Sequence, residues 1–215
     1  MTDYAEARRK MVDNQLRTTD VTHREVLDAM GAVAREDFVP AASRQIAYLD
    51  REIGVGGGRK LPAPSALGRL LQLADPRENQ RVLLIGAGSG YAAAVLARIA
   101  GSVVALESDA ELVAAARLAL AGEKNVEVAH GPLAAGMAAR APYDLIVYGG
   151  SVADSPQGIF GQLAEQGRLI AVEGFGSAAV AKVYVKDGAV VSSRRVFTLS
   201  MPPLTELARE PAFAF

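Results

Sequence analysis

The residues with the types and spacing to do chemistry lie in Val82-Leu83-Leu84-Ile85-Gly86-Ala87-Gly88-Ser89-Gly90-Tyr91. A short apolar run of strand type enters a glycine cluster, and an alanine-rich helical run follows. Glycines let a backbone pass close to a ligand, and a helix N-terminus presents free amide donors. In an open parallel sheet such a loop lies at the carboxyl ends of the strands, where ligands bind. The spacing is G-x-G-x-G, and Tyr91 stands where the dinucleotide fingerprint has its last small residue. That form suits a ligand with no pyrophosphate to seat, and S-adenosylmethionine is one. About 20 residues on, the next apolar run ends in Glu107, whose carboxylate has acceptors for two ribose hydroxyls. The expected cofactor contacts are Gly86, Ala87, Gly88, Gly90, Glu107 and Ser108. A nicotinamide site, or a plain βα turn with an exposed Glu, remains the alternative.

The elements that must position this loop follow from the pattern around it. Arg81–Ile85, Ser102–Glu107, Val126–Ala129, Asp144–Tyr148 and Arg168–Glu173 read as strands. Tyr91–Ala100, Asp109–Ala121 and Pro156–Glu165 read as helices between them. Asp109 or Ser108 is placed to cap the second, and Gly122 to end it. Val180–Lys186 and Ala189–Phe197 flank Asp187-Gly188 as a hairpin. This order predicts an α/β sandwich with a mostly parallel sheet and a C-terminal antiparallel hairpin at one edge. Residues 1–50 read as a helical extension, with Met11, Leu16, Val26, Leu27, Met30 and Val33 on apolar stripes and Thr22/Glu25 as a capping box. Residues 51–65, crowded with Gly and Pro, read as a loop with unusual backbone angles and no regular element. The division is an N-terminal extension and substrate loop over 1–65, a core over 66–200 and a tail over 201–215.

Composition narrows the chemistry. The chain has 215 residues, no Cys, two His and a net charge of -1. Disulfide, thiolate and Cys-ligated zinc chemistry are excluded, and no metal is expected. Nothing suggests nucleic-acid binding through phosphates. Met1 to Lys10 is polar and no apolar h-region follows. The expectation is a soluble cytoplasmic protein, without a membrane partner, as a monomer or homodimer. His130, after the third strand on the expected adenine side, and Tyr91, after the glycine loop, stand as possible contacts, with surface and packing roles as the plainer readings. Tyr148-Gly149-Gly150 marks either room for a ligand or a turn. His23 and the run Arg8-Arg9-Lys10 read as surface, and Asp144 lies at the end of the sheet away from chemistry. Phe213 and Phe215 are candidates to dock the tail.

Several segments resemble the protein-L-isoaspartate (D-aspartate) O-methyltransferases. They are Met11-Val12-Asp13-Asn14-Gln15-Leu16-Arg17, Val26-Leu27-Asp28-Ala29-Met30 and Ala34-Arg35-Glu36-Asp37-Phe38-Val39-Pro40. Gly86-Ala87-Gly88-Ser89-Gly90-Tyr91 is close to that family's GTGSGY. Asn125-Val126 to His130-Gly131 and Ala141-Pro142-Tyr143-Asp144-Leu145-Ile146-Val147 complete the set. The resemblance implies a Rossmann-like fold, S-adenosylmethionine as cofactor and isoaspartyl-containing proteins or peptides as substrate. It implies protein repair: the α-carboxyl is methylated, and the ester closes to a succinimide that reopens partly to aspartate. A carboxylate is already nucleophilic at neutral pH, so no residue is assigned a catalytic role, and positioning and desolvation carry the step.

Three departures bear on that implication. The family's loop G-Q-G-Q-T-I-S-Q-P is here Gly56-Gly57-Gly58-Arg59-Lys60-Leu61-Pro62-Ala63-Pro64, so Lys60 replaces Thr and Pro62 replaces Ser. Pro62 has neither hydroxyl nor amide hydrogen to donate. Arg59, Lys60, Leu61 and Pro62 form the expected substrate loop, and Arg59 and Lys60 are expected to grip an anionic acceptor. The family's Gly-Asp-Gly beside the adenine is Gly131-Pro132-Leu133 here, which puts Pro132 and Leu133 among the cofactor contacts without an acid. Leu84 replaces an acidic residue on the strand before the glycines. The alternatives are a methyltransferase with a different acceptor and a non-catalytic member that binds a nucleoside or a partner.

Overall fold

The apolar runs β3 (Arg81–Ile85), β4 (Ser102–Glu107) and β6 (Tyr143–Val152) are buried along nearly their whole length. Such runs suit strands covered on both faces, as in a parallel sheet. The computed structural model describes residues 3–154 and 157–208. Within it one seven-stranded sheet has the order β5-β4-β3-β6-β7-β8-β9. β5 (Val126–His130), β4, β3, β6 and β7 (Leu163–Glu173) are parallel neighbours. β8 (Val180–Asp187) and β9 (Val190–Thr198) add an antiparallel edge. The chain moves outward from β3 through β4 to β5, then returns to β6 on the other side of β3. That reversal opens a crevice at the carboxyl ends of β3 and β6.

Helices cover both faces. α1 (Tyr4–Met11), α2 (Arg24–Ala32), α3 (Pro64–Ala74) and α4 (Tyr91–Ala97) lie over one face with Met11, Leu16, Met30, Leu70 and Val95 in one core. The extension therefore shares its core with the sheet and has none of its own. α6 (Gln157–Phe160) and the segment around Leu204 and Leu207 cover the other face. Between β4 and β5, α5 (Ala110–Ala119) starts at Asp109, whose carboxylate accepts from the Leu112 amide at 2.9 Å.

Several local expectations are corrected. Residues 51–65 contain a hairpin, β1 (Ile53–Gly56) against β2 (Arg59–Leu61). Gly57 and Gly58 take φ of 53° and 71°, the left-handed angles a two-residue hairpin turn needs. The helix expected over Pro156–Glu165 is confined to Gln157–Phe160, because Leu163 is buried in a strand pairing with Tyr143. α2 has no Thr22 capping box: the Thr22 and His23 amides both donate to Gln72 Oε1, at 2.6 and 2.9 Å. The late hairpin turns on Gly188-Ala189, since Asp187 still pairs with Val190. Arg8 is not on an open face. It donates to the Tyr48 hydroxyl at 2.8 Å and to Glu36 at 3.1 Å. His23 is tucked against Asp75, at 3.0 Å. Phe213 and Phe215 lie outside the described residues. No helix among the described residues is long and apolar enough to cross a membrane.

Candidate active site

The crevice at the reversal is built from four pieces. The glycine loop leaves β3, and Gly86 passes so close to β6 that a Cβ on Gly149 would sit 2.3 Å from the Gly86 carbonyl oxygen. The Gly149-Gly150 pair is not a turn, and Gly149 lines the crevice. The pair lies within β6 and is small because the glycine loop crosses one residue and the Pro202 carbonyl the other. Residues 201–207 run beside the end of β6. The Ser151 amide donates to Pro202, and the Leu204 amide donates back to Ser151, both at 2.8 Å. Leu204 rests on Gly86, and the β1–β2 hairpin closes the remaining side. The space left between hairpin, glycine loop and C-terminal segment is about 20 Å³, enough for about one water.

Glu107, fully buried at the end of β4, organises the floor. One carboxylate oxygen accepts from the Ser108 amide at 2.8 Å and the Asp109 amide at 3.2 Å; the other accepts from the Gly88 amide at 2.8 Å. The Ser108 hydroxyl lies 3.1 Å from the first oxygen, and Arg59, only 4% exposed, donates from Nη2 to Glu107 at 3.0 Å with its Nε 3.3 Å from both oxygens. Arg59 Nη2 also donates to Ser108 Oγ at 2.9 Å and to Glu206 at 2.8 Å. Burial alone would raise the Glu107 carboxyl pKa. Arg59 and the Gly88 amide outweigh it and hold the carboxyl below its ordinary value. Burial works to lower the Arg59 value, and the two carboxylates more than reverse it.

The expected site residues fall into three groups. Gly86, Ala87, Gly88 and Ser89 line the crevice with Leu61 and Pro62. Gly90 lies behind the loop, against Leu120, and Glu107 and Ser108 lie beneath Arg59. Pro132 and Leu133 do not reach the crevice: Pro132 is exposed and Leu133 is buried in the core of the far face. Arg59 does not reach toward an outside anion, because two carboxylates within the fold already hold it. Lys60 is exposed and pairs with Glu52 at 3.1 Å. Tyr91 packs at zero exposure between Phe38 and Arg35. His130 is exposed, 3.0 Å from the Ser108 carbonyl.

The sequence reading missed two contributors. Arg35, fully buried, donates to the Ala47 carbonyl at 2.7 Å and to the Pro62 carbonyl at 2.6 Å, so it pins the substrate loop to the extension. Its signal was the Arg-Glu-x-Phe-Val-Pro segment. Glu206 had none, being brought in by the C-terminal segment's path along β6. Two features of the crevice fit a nucleoside cofactor. The Ser89 hydroxyl is buried without a hydrogen-bond partner. Gly88 lines the crevice, where a Cβ would meet Val55 of the hairpin in ordinary contact at 4.0 Å.

Residues 6–208 match the family described as Protein-L-isoaspartate(D-aspartate) O-methyltransferase (PCMT). The chain belongs to this family. A protein-L-isoaspartate O-methyltransferase of Aeropyrum pernix is 38% identical over 211 residues, covering 94% of this chain and 81% of the relative. One from Methanoregula boonei is 36% identical over 202 residues, 93% of each. A solved structure named protein-L-isoaspartate O-methyltransferase matches with a TM-score of 0.80 at 23% identity, over 94% of this chain and 67% of that one. A Plasmodium falciparum structure named as a beta-aspartate methyltransferase, in complex with S-adenosyl-L-homocysteine, matches with a TM-score of 0.77 at 19% identity, over 96% of this chain and all of that one. At these identities the two structures bear out the Rossmann-like methyltransferase sandwich.

Proposed function

We propose that this chain transfers a methyl group from S-adenosylmethionine to the α-carboxylate of isoaspartyl residues in proteins or peptides, at a low rate. The observation that carries this reading is the glycine loop at the sheet's reversal point, with Gly88 lining the crevice, the Ser89 hydroxyl unpartnered and Glu107 at the adjacent strand end. When bound, the cofactor supplies an electrophilic methyl group on a sulfonium. This chain's residues bind and orient. Gly86, Ala87, Gly88 and Ser89 would hold the nucleoside side, with Glu107 as the acceptor for ribose hydroxyls. Leu61, Pro62 and Leu204 wall the crevice with apolar surface and keep water from the reacting oxygen. Lys60, exposed at the mouth, is held by Glu52 and would have to leave it to meet the acceptor.

The low rate follows from Lys60 and Pro62. Pro62 presents no donor, and its carbonyl is held by Arg35. An assay with an isoaspartyl peptide and labelled methyl donor checks it. Losing one or two donors to the acceptor should lower turnover about ten-fold or more relative to a family member with Thr and Ser there. The pair Lys60→Thr with Pro62→Ser should recover part of the loss. Turnover equal to such a relative contradicts the proposal.

A further inference from the structure

We propose that Arg59 is a resident competitor for the cofactor, filling on Glu107 the place that ribose hydroxyls need and held there by Glu206. This rests on reading the crevice as the cofactor's. A carboxylate offers about four acceptor positions. Three backbone amides, of Gly88, Ser108 and Asp109, already use Glu107, the Ser108 hydroxyl lies 3.1 Å from the oxygen that two of them share, and the Arg59 guanidinium lies across both oxygens. No position remains for a diol while Arg59 stays.

The geometry favours staying. Arg59 is a single cation between two carboxylates and also donates to Ser108 Oγ. Ser108 Oγ lies 2.7 Å from Glu206, so hairpin, β4 end and C-terminal segment meet in one closed cluster. The groups facing Arg59 are Glu107, Ser108 and Glu206. The Arg59 side chain is 4% exposed, whereas Glu206 is 45% exposed. Cofactor entry therefore needs Arg59 to swing out with the hairpin, and Glu206 marks the outer end of that path. With Arg59 gone, the three amides remain on Glu107, and the oxygen that accepts from Gly88 regains an acceptor position for a ribose hydroxyl.

A site open only part of the time binds more weakly in proportion to the open fraction. Isothermal titration with S-adenosylhomocysteine, on the full chain and its Arg59→Gln variant, reads this directly. Arg59→Gln should bind about ten-fold or more tightly than the parent, with Glu206→Gln in between. Equal affinity, or a tighter parent, overturns the competitor role and leaves the cofactor reading standing. Absence of binding to both chains overturns the two together. If Arg59→Gln is recovered unfolded, Glu206→Gln decides: tightening of about two-fold or more supports the proposal, and unchanged or weaker binding overturns it.

Discussion

Glu107 shows how one side chain can be both legible and misleading in a sequence. Its position at the end of an apolar run, after a glycine loop, marks it as a ligand group, and it lies at the carboxyl end of β4 as expected. Its partner comes from a hairpin 48 residues upstream, and the second anchor of that partner lies 147 residues downstream of it. Local pattern carries no information on such pairings. The pairing has a consequence in acid. A carboxyl whose folded pKa is depressed stabilises the fold fully above its unfolded value, near 4.3, and loses that stabilisation as pH falls through the lower folded value. Arg59→Gln removes the side-chain partner that lowers it. Urea denaturation between pH 3 and 6 should therefore show a shallower acid loss of stability in Arg59→Gln than in the parent. Identical acid limbs would contradict a charged Arg59–Glu107 pair.

At the scale of elements, strong periodic runs were readable and turns were not. β3, β4 and the helix capped by Asp109 lie where hydrophobic pattern and capping chemistry put them. The Gly-Pro segment over 51–65 hid a hairpin, because three or four residues per strand are too few to show alternation and the glycines serve its turn. Gly149 suggested space and does line the crevice, but its smallness also serves a contact between β6 and the glycine loop that no local pattern shows. Gly149→Ala sets a methyl against the rigid Gly86 carbonyl, 2.3 Å away before relaxation. It should destabilise the chain by about 1–3 kcal/mol, seen as a lower urea midpoint. An unchanged midpoint would mean that loop and strand can part without cost.

For the whole molecule, fold class and family were readable because the apolar runs, the glycine loop and the Arg-Glu-x-Phe-Val-Pro segment are local. The closure of the crevice was not, because it needs the hairpin, the sheet and residues 201–207 together. The N-terminal helices also join the core of the sheet: Gly68 of α3 would bring a Cβ to 3.0 Å from Leu16. Arg35 ties that extension to the substrate loop. Extension and substrate loop are thus joined through one buried side chain.

The most direct test of the glycine loop and Glu107 as the cofactor site is titration of S-adenosylmethionine into the parent chain and into Gly88→Val. Gly88 has φ of 55° and lines the crevice opposite Val55, so valine both strains the loop and fills space between loop and hairpin. The parent should bind one equivalent per chain, and Gly88→Val should keep a cooperative thermal transition but bind none. A Gly88→Val chain that binds as tightly as the parent would contradict the account.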